Sequence, residues 1–184
     1  TRAYDPHPLK DIPQKDGEIF DVVDENDKPT GTATRSEVHS QGLIHRAVHV
    51  FVLNRNGDLY LQKRSLRKDM NPGVWDSSVS GHLDAGESYA DAAVRELGEE
   101  MDIHGVAVDD LEPVATLPPS EKTGWEHVHL FLIRYNGAVS FPAAEIDSVM
   151  PFPEAEIAAW IASSPGDFSP AFLMMFAAWL EKRS

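Results

Sequence analysis

The sequence predicts an α/β fold of the α+β kind, a sandwich of helices around a mixed β-sheet. Two patterns carry that expectation: β-rich segments lie on both sides of one strongly patterned central helix, and two more helical segments close the chain. A third observation sets the size. With 184 residues, 42% hydrophobic and 25% charged, the chain suffices for one domain with a substantial core.

Residues 1–17 are rich in Pro, Lys and Asp without periodicity, so they read as a loosely held N-terminal arm before a single domain at 18–184. Residues 18–23 alternate apolar with polar, 24–29 supply a turn, and 30–34 are rich in β-formers, which gives strand, turn and strand. A polar stretch containing His39 follows. Residues 45–53 form the next strand, Asn54-Arg55-Asn56-Gly57 turns it, and 59–63 return in the clearest hairpin of the sequence. Pro72-Gly73 interrupts the chain before a strand at 74–80, and a glycine-bounded loop leads into a helix at 88–101. Beyond it, 111–117 and 127–135 read as strands around a loop at 118–124, Asn136-Gly137 marks a turn, and a short strand lies near Ser148. Helices are expected at 153–162 and 170–182, the second opened by Ser169 as cap and Pro170 in the first turn.

The formal net charge of −14 disfavours a nucleic-acid polymer as partner, because phosphates are bound mainly through Lys and Arg. The cysteine count is zero, which removes disulfides, thiolate metal sites and cysteine nucleophiles together. The longest apolar run, 171–180, falls short of the roughly 20 residues that cross a bilayer. No membrane partner is expected, and the protein reads as cytoplasmic, acting on a small molecule.

Chemistry concentrates on the helix at 88–101. At about 100° per residue, Ala90, Ala93, Val94, Leu97 and Met101 form a core-facing stripe, while Glu96, Glu99 and Glu100 share a second arc. Glu96 and Glu100 stand one turn apart and repel unless something neutralises them. A hard divalent cation does so, and Mg²⁺ bridges such carboxylates to substrate phosphates. A solvated acidic helix face is the plainer meaning of this cluster. The preceding loop, Gly81-His82-Leu83-Asp84-Ala85-Gly86-Glu87, shifts the balance, since its glycines let the backbone bend closely and leave a carbonyl free for a metal.

Gly81, Glu87, Arg95-Glu96-Leu97, Glu99-Glu100 and Ile103, at their spacing, closely resemble the Nudix box. The one departure is Asp102, where the family usually has Gly to leave the helix in a left-handed conformation; Asp tolerates that conformation better than most side chains. The resemblance implies a Nudix-type α/β/α sandwich and metal-dependent hydrolysis of a diphosphate linked to another group. It implies that Glu96, Glu99 and Glu100, with the Gly81 carbonyl, hold Mg²⁺ or Mn²⁺. Glu87 and Arg95 would brace loop and helix, and one of the carboxylates, not fixed by the resemblance, would serve as base.

A wider likeness runs through Leu43-Ile44-His45-Arg46-Ala47, Leu61-Gln62-Lys63-Arg64-Ser65, Pro72-Gly73-Val74-Trp75-Asp76 and 77–87. It is similar to isopentenyl diphosphate isomerases and their Nudix hydrolase relatives. The likeness implies a second metal on His45 and His82, with His39 as a third ligand displaced by one position. Glu126 and His127 are not assigned as ligands, because their alignment slips by a residue. The isomerases require a catalytic cysteine where this chain has Ser80, a far weaker acid, so the hydrolase relatives are the better match. An isoprenoid diphosphate isomerase and a binding module without catalysis remain as alternatives. Lys63, Arg64 and Arg67 read as a diphosphate clamp. Trp75 and Trp125 read as core rather than as stacking platforms. Phe172, Met175, Phe176 and Trp179 read as core on the last helix, with a homodimer through that helix as the lesser expectation.

Overall fold

The computed structural model describes residues 17–68 and 71–184, so the expected arm at 1–17 lies, apart from Gly17, outside the described residues. Strands β1 (Ile19–Val23) and β2 (Pro29–Thr34) form a separate antiparallel hairpin, followed by helix α1 (Arg35–Gln41). Then come β3 (His45–Leu53), β4 (Leu59–Arg64), β5 (Trp75–Asp76), β6 (Val79–His82) and helix α2 (Tyr89–Met101). Strands β7 (Glu112–Leu117), β8 (Glu126–Arg134) and β9 (Ile146–Phe152) precede helices α3 (Glu154–Ser163) and α4 (Pro170–Arg183).

Helix α1 replaces the expected polar stretch. The Thr34 side chain caps it by accepting from the Glu37 amide, and Gly42 ends it at φ 61° in the left-handed region. Only Val38 is buried, so no apolar stripe announced the helix.

The expected hairpin at 45–63 turns where the sequence says, but it is a fork. Strands β3 and β4 pair only at Leu53 with Leu59. From there β3 runs parallel to β8 and antiparallel to β6, while β4 runs antiparallel to β9 and β5. The single strand expected at 74–80 is accordingly two, with Ser77 and Ser78 crossing from one arm to the other. Ser78 closes the crossing: its hydroxyl donates to the Tyr60 carbonyl on β4 and accepts from the Val52 amide on β3 at 2.9 Å. These bonds satisfy two backbone groups that strand separation would leave buried without partners.

Side-chain alternation along β3 feeds two cores. Ala47, Phe51 and Leu53 pack with Leu59, Leu61, Ile157 of α3 and Phe172, Met175, Phe176 and Trp179 of α4. Val48, Val50 and Val52 pack with Ala92, Ala93, Leu97 and Met101 of α2. Helices therefore cover both faces of the mixed sheet, and the four α4 side chains are core. Trp75 is half-buried and packs against the first of these cores, edge-on to Phe152 and Trp160, whereas Trp125 is 44% exposed and takes a left-handed φ of 63°. Among the described residues no helix is long and apolar enough to cross a membrane.

Replacing Ser78 by Ala orphans the Tyr60 carbonyl and the Val52 amide together, so S78A is expected to lose about 2 kcal/mol of stability in urea unfolding. An unchanged midpoint would mean that the fork does not depend on this hydroxyl.

Candidate functional site

Helix α2 begins at the Ser88 cap, whose hydroxyl accepts from the Asp91 amide, and ends at Asp102 with φ 55° and ψ 35°. The left-handed exit is thus made without glycine. The helix is rotated relative to the expected stripe. Ala92 joins Ala93, Leu97 and Met101 in the core, while Ala90 and Val94 are only half-buried. The three carboxylates do not share a solvated face. Glu96 and Glu100 are each 6% exposed and turned toward β6, and the Glu99 side chain stays 46% exposed.

Close backbone approach makes this burial feasible. A Cβ at Gly81 would collide with the Glu96 carboxyl group, so the carboxylate sits where it does only because residue 81 has no side chain. The neighbouring Ser80 amide donates to Glu100 Oε1 at 2.9 Å, and Gln62 Nε2 on β4 donates to Glu100 Oε2 at 2.9 Å. Burial pushes Glu100 up to about 7, against those two hydrogen bonds and the charges of Lys68 and Arg64.

Arg95 is the hub of the site. It bonds Glu87 twice, from Nε at 2.9 Å and from a terminal nitrogen at 2.8 Å, and donates to Glu96 at 2.8 Å and Glu99 at 3.3 Å. A further bond at 3.0 Å reaches the His82 carbonyl. Hydrogen bonding to Glu87 holds the guanidinium well above its ordinary value, so it stays charged. Burial pushes Glu87 up, but its hydrogen bonds from Arg95 and the Asp84 amide outweigh that and hold it below the usual carboxylate range. The first strand supports the same loop: Ala85 donates its amide to the Ile19 carbonyl and Gly86 to Asp21 Oδ2.

The basic clamp differs from expectation. Alternation along β4 puts Arg64 on the Gln62 side and Lys63 on the other, and Arg67 is exposed in the turn beyond. Lys68 is the residue that joins Arg64 in acting on Glu100. Nothing in the local pattern separates it from Arg67; only the turn after β4 does.

The histidines do converge. His39 on α1, His45 on β3 and His82 on β6 place candidate ligand atoms within 4.8 Å of one another. His45 bonds the Leu43 carbonyl through Nδ1 at 2.9 Å, which leaves Nε2 buried without a hydrogen bond. A histidine fixed through one ring nitrogen, with the other turned into a cluster of candidate ligands, is placed as a metal ligand would be. Glu126 belongs to this cluster although the sequence alignment passed it over. Its Oε1 lies 3.2 Å from His82 Nε2 and 3.5 Å from His45 Nε2, because parallel pairing of β3 with β8 sets Glu126 directly opposite His45. Burial raises Glu126, yet the two histidines hold it far below the carboxylate range; burial itself holds His82 below its ordinary value. His127 points elsewhere, with Nε2 2.9 Å from the Asp24 carbonyl.

The NUDIX domain model matches residues 43–172. The chain belongs to the Nudix family. Nudix enzymes generally use divalent cations, and the family places this protein among pyrophosphate hydrolases and their kin. It is 33% identical to an isopentenyl-diphosphate Δ-isomerase of Burkholderia multivorans over 159 residues, covering 84% of this chain and 88% of that protein. It is 44% identical to a Nudix hydrolase of Pseudomonas aeruginosa over 88 residues, a match covering 48% of this chain and about half, 52%, of that relative. A crystal structure from Deinococcus radiodurans superposes with a TM-score of 0.68 at 27% identity, over 79% of this chain and 90% of that one. Both likenesses seen in the sequence, to the Nudix box and to the isomerase branch, are therefore borne out, as is the mixed α/β fold.

Glu87→Gln removes one charge from the Arg95 hub. Because the folded Glu87 lies below its unfolded value, its contribution is present above the carboxylate range and is lost as pH falls through it. The variant is expected to be about 1 to 2 kcal/mol less stable at pH 7, with the gap closing below about pH 4. Urea unfolding at pH 7 and pH 3 measures this, and a gap that widens in acid would refute the assignment.

Proposed function

We propose that this Nudix protein hydrolyses the pyrophosphate bond of a nucleoside di- or triphosphate or another organic diphosphate, with Mg²⁺ or Mn²⁺. The observation that carries the reading is the Glu96–Gly81–Arg95 arrangement: one carboxylate buried against Gly81, a second buried on the Ser80 amide, a third exposed one, and a single guanidinium bridging Glu96 and Glu99. Those residues fit a cation. Glu96, Glu99 and Glu100 would hold it, with the Gly81 carbonyl alongside, and Glu87 would keep Arg95 in place. When bound, the cation supplies neutralisation of developing phosphate charge and a lower pKa for water. The protein's own part is to hold the donor set rigid through Arg95 and to offer a carboxylate as proton acceptor. Arg64 and Lys68 would meet the substrate's charge.

A second reading draws on the His39, His45, His82 and Glu126 cluster, whose converging ligand atoms suit another metal, as the isomerase-like branch implies. Isomerisation at an alkene needs an acid stronger than the Ser80 hydroxyl, so hydrolysis is the reading we adopt.

Phosphorus NMR with Mg²⁺ or Mn²⁺, offering nucleoside di- and triphosphates, nucleotide sugars and isopentenyl diphosphate separately, tests both. Release of phosphate or a monophosphate is expected from at least one tube, and addition of EDTA should stop it. Glu99→Gln, at an exposed position that leaves the fold intact, should slow that release by about a hundredfold or more. Full turnover in the variant, or an intact diphosphate with a shifted double bond, would overturn the reading.

A further inference from the structure

The hairpin of β1 and β2 is a two-stranded sheet of its own, and the apolar cluster it makes with α1 is small, with Phe20, Ala33 and Val38 buried. Such a hairpin is marginal by itself in water. Its turn is fastened to the main sheet by polar contacts. Asp27, at a left-handed φ of 62°, accepts from Arg46 Nε at 2.7 Å on one carboxylate oxygen and from the Tyr89 hydroxyl at 2.8 Å on the other. The Asp27 carbonyl takes a further bond from Arg46 at 2.6 Å, and His127 Nε2 lies 2.9 Å from the Asp24 carbonyl. Burial and the bond to Asp27 push the Tyr89 hydroxyl up, so it stays a donor. Arg46 and His127 are register partners on β3 and β8, one rung beyond His45 and Glu126. Side chains on consecutive rungs face opposite ways. The hairpin therefore straddles the end of the sheet. Its turn is held on the α2 face, while Phe20 and the His39 that α1 carries pack against the rings of His45 and His82 on the other.

We infer that Asp27 is a positioning residue: by fastening the hairpin turn to Arg46 and Tyr89 it sets α1, and with it His39, in the ligand cluster of His45, His82 and Glu126. The inference rests on the reading of that cluster as a second metal site. Three of the four candidate ligands stand on paired strands of the main sheet, which hold them in register whatever the hairpin does. His39 alone arrives on a seven-residue helix that follows β2 directly, so its place depends on where the hairpin is docked. Releasing the turn costs the cluster that one ligand and leaves the α2 carboxylates on their own supports, the Ser80 amide, Gln62 and Arg95.

Imidazole ligands favour Zn²⁺ and carboxylates Mg²⁺, so calorimetry of Zn²⁺ binding in excess Mg²⁺ reads the histidine cluster. The wild type is compared with Asp27→Ala, His39→Ala and the variant carrying both, each first checked for its fold by circular dichroism. Each single change is expected to weaken Zn²⁺ by about tenfold or more. The double change should be no weaker than His39→Ala alone, because Asp27 acts through His39. Losses that add, as a general loosening of the fold would give, overturn the inference, and so does wild-type affinity in Asp27→Ala. Tyr89→Phe removes one donor to Asp27 and keeps the ring stacked on His129, so it carries the same cycle should Asp27→Ala not fold. A loss of about twofold to fivefold is expected from it, vanishing in the His39→Ala background. A wild type that takes up no Zn²⁺, or that His39→Ala matches in affinity, overturns the second-metal reading and the inference with it. Weakening in His39→Ala, with Asp27→Ala and Tyr89→Phe at wild-type affinity, leaves that reading standing and overturns the role of Asp27.

Discussion

The architecture depends on the fork between β3 and β4. A regular hairpin would fill the space between these strands with their own ladder; here a single residue pair joins them, and the chain returns later to fill the gap. A buried serine at position 78 is what closes that crossing. Ser77 and Ser78 are both fully buried, and a hydroxyl is the smallest side chain able to serve a backbone donor and a backbone acceptor at once. Opening the fork exposes the outer edge of β6, and that edge is where the Ser80 amide and the Gly81 backbone meet the carboxylates of α2. Site and fork are one structural decision.

Electrostatics explains why a chain of net charge −14 can bury acidic side chains together. Arg95 contacts Glu87, Glu96 and Glu99, so one cation offsets three carboxylates, and its planar fork of donors permits this where a lysine would not. Glu100 lies outside that hub and is held by neutral donors instead, with burial driving it upward. The four acids thus fall into two environments: three anchored to a permanent positive charge, and one kept in place by amides. A further positive charge arriving among them has most to neutralise at Glu100, which is why the nearby Arg64 and Lys68 matter to the balance.

Much of this is legible in the sequence. Fixed spacing along 81–103 identified the loop and helix, because the glycine, the acids and Arg95 each have a local geometric reason to be where they are. The strand at 45–53 was legible by its β-branched run, and the left-handed exit at Asp102 by the tolerance of Asp for it. What escaped was set by tertiary contact. Helix α1 buries one residue, so only its capping pair Thr34 and Glu37 marked it. The fork is invisible to a reading based on alternation, since both arms alternate correctly. Glu126 is invisible to sequence register because only strand pairing with β3 puts it opposite His45. Lys68, and not Arg67, acts on Glu100 through the path of a turn, which carries no period to read.

The histidine cluster and the carboxylate cluster share a backbone, and that bears on how one scaffold accommodates two chemistries. His82 presents its ring to His39, His45 and Glu126, while its carbonyl accepts from Arg95. Arg35, carried by α1, approaches the other ring nitrogen at 3.5 Å. Phe20 of β1 packs on the same ring, with centroids 4.9 Å apart. The hairpin and helix preceding residue 43 therefore complete a donor set whose other members lie within the matched Nudix region. A shift of β6 would disturb both clusters at once, since Gly81 abuts Glu96 and His82 follows it directly. The scaffold fixes where the two clusters stand; position 80, on the same short strand, sets what acid–base chemistry the side chain between them can support. With a hydroxyl there, the strand offers an amide to Glu100 and, at that position, a far weaker acid than a thiol.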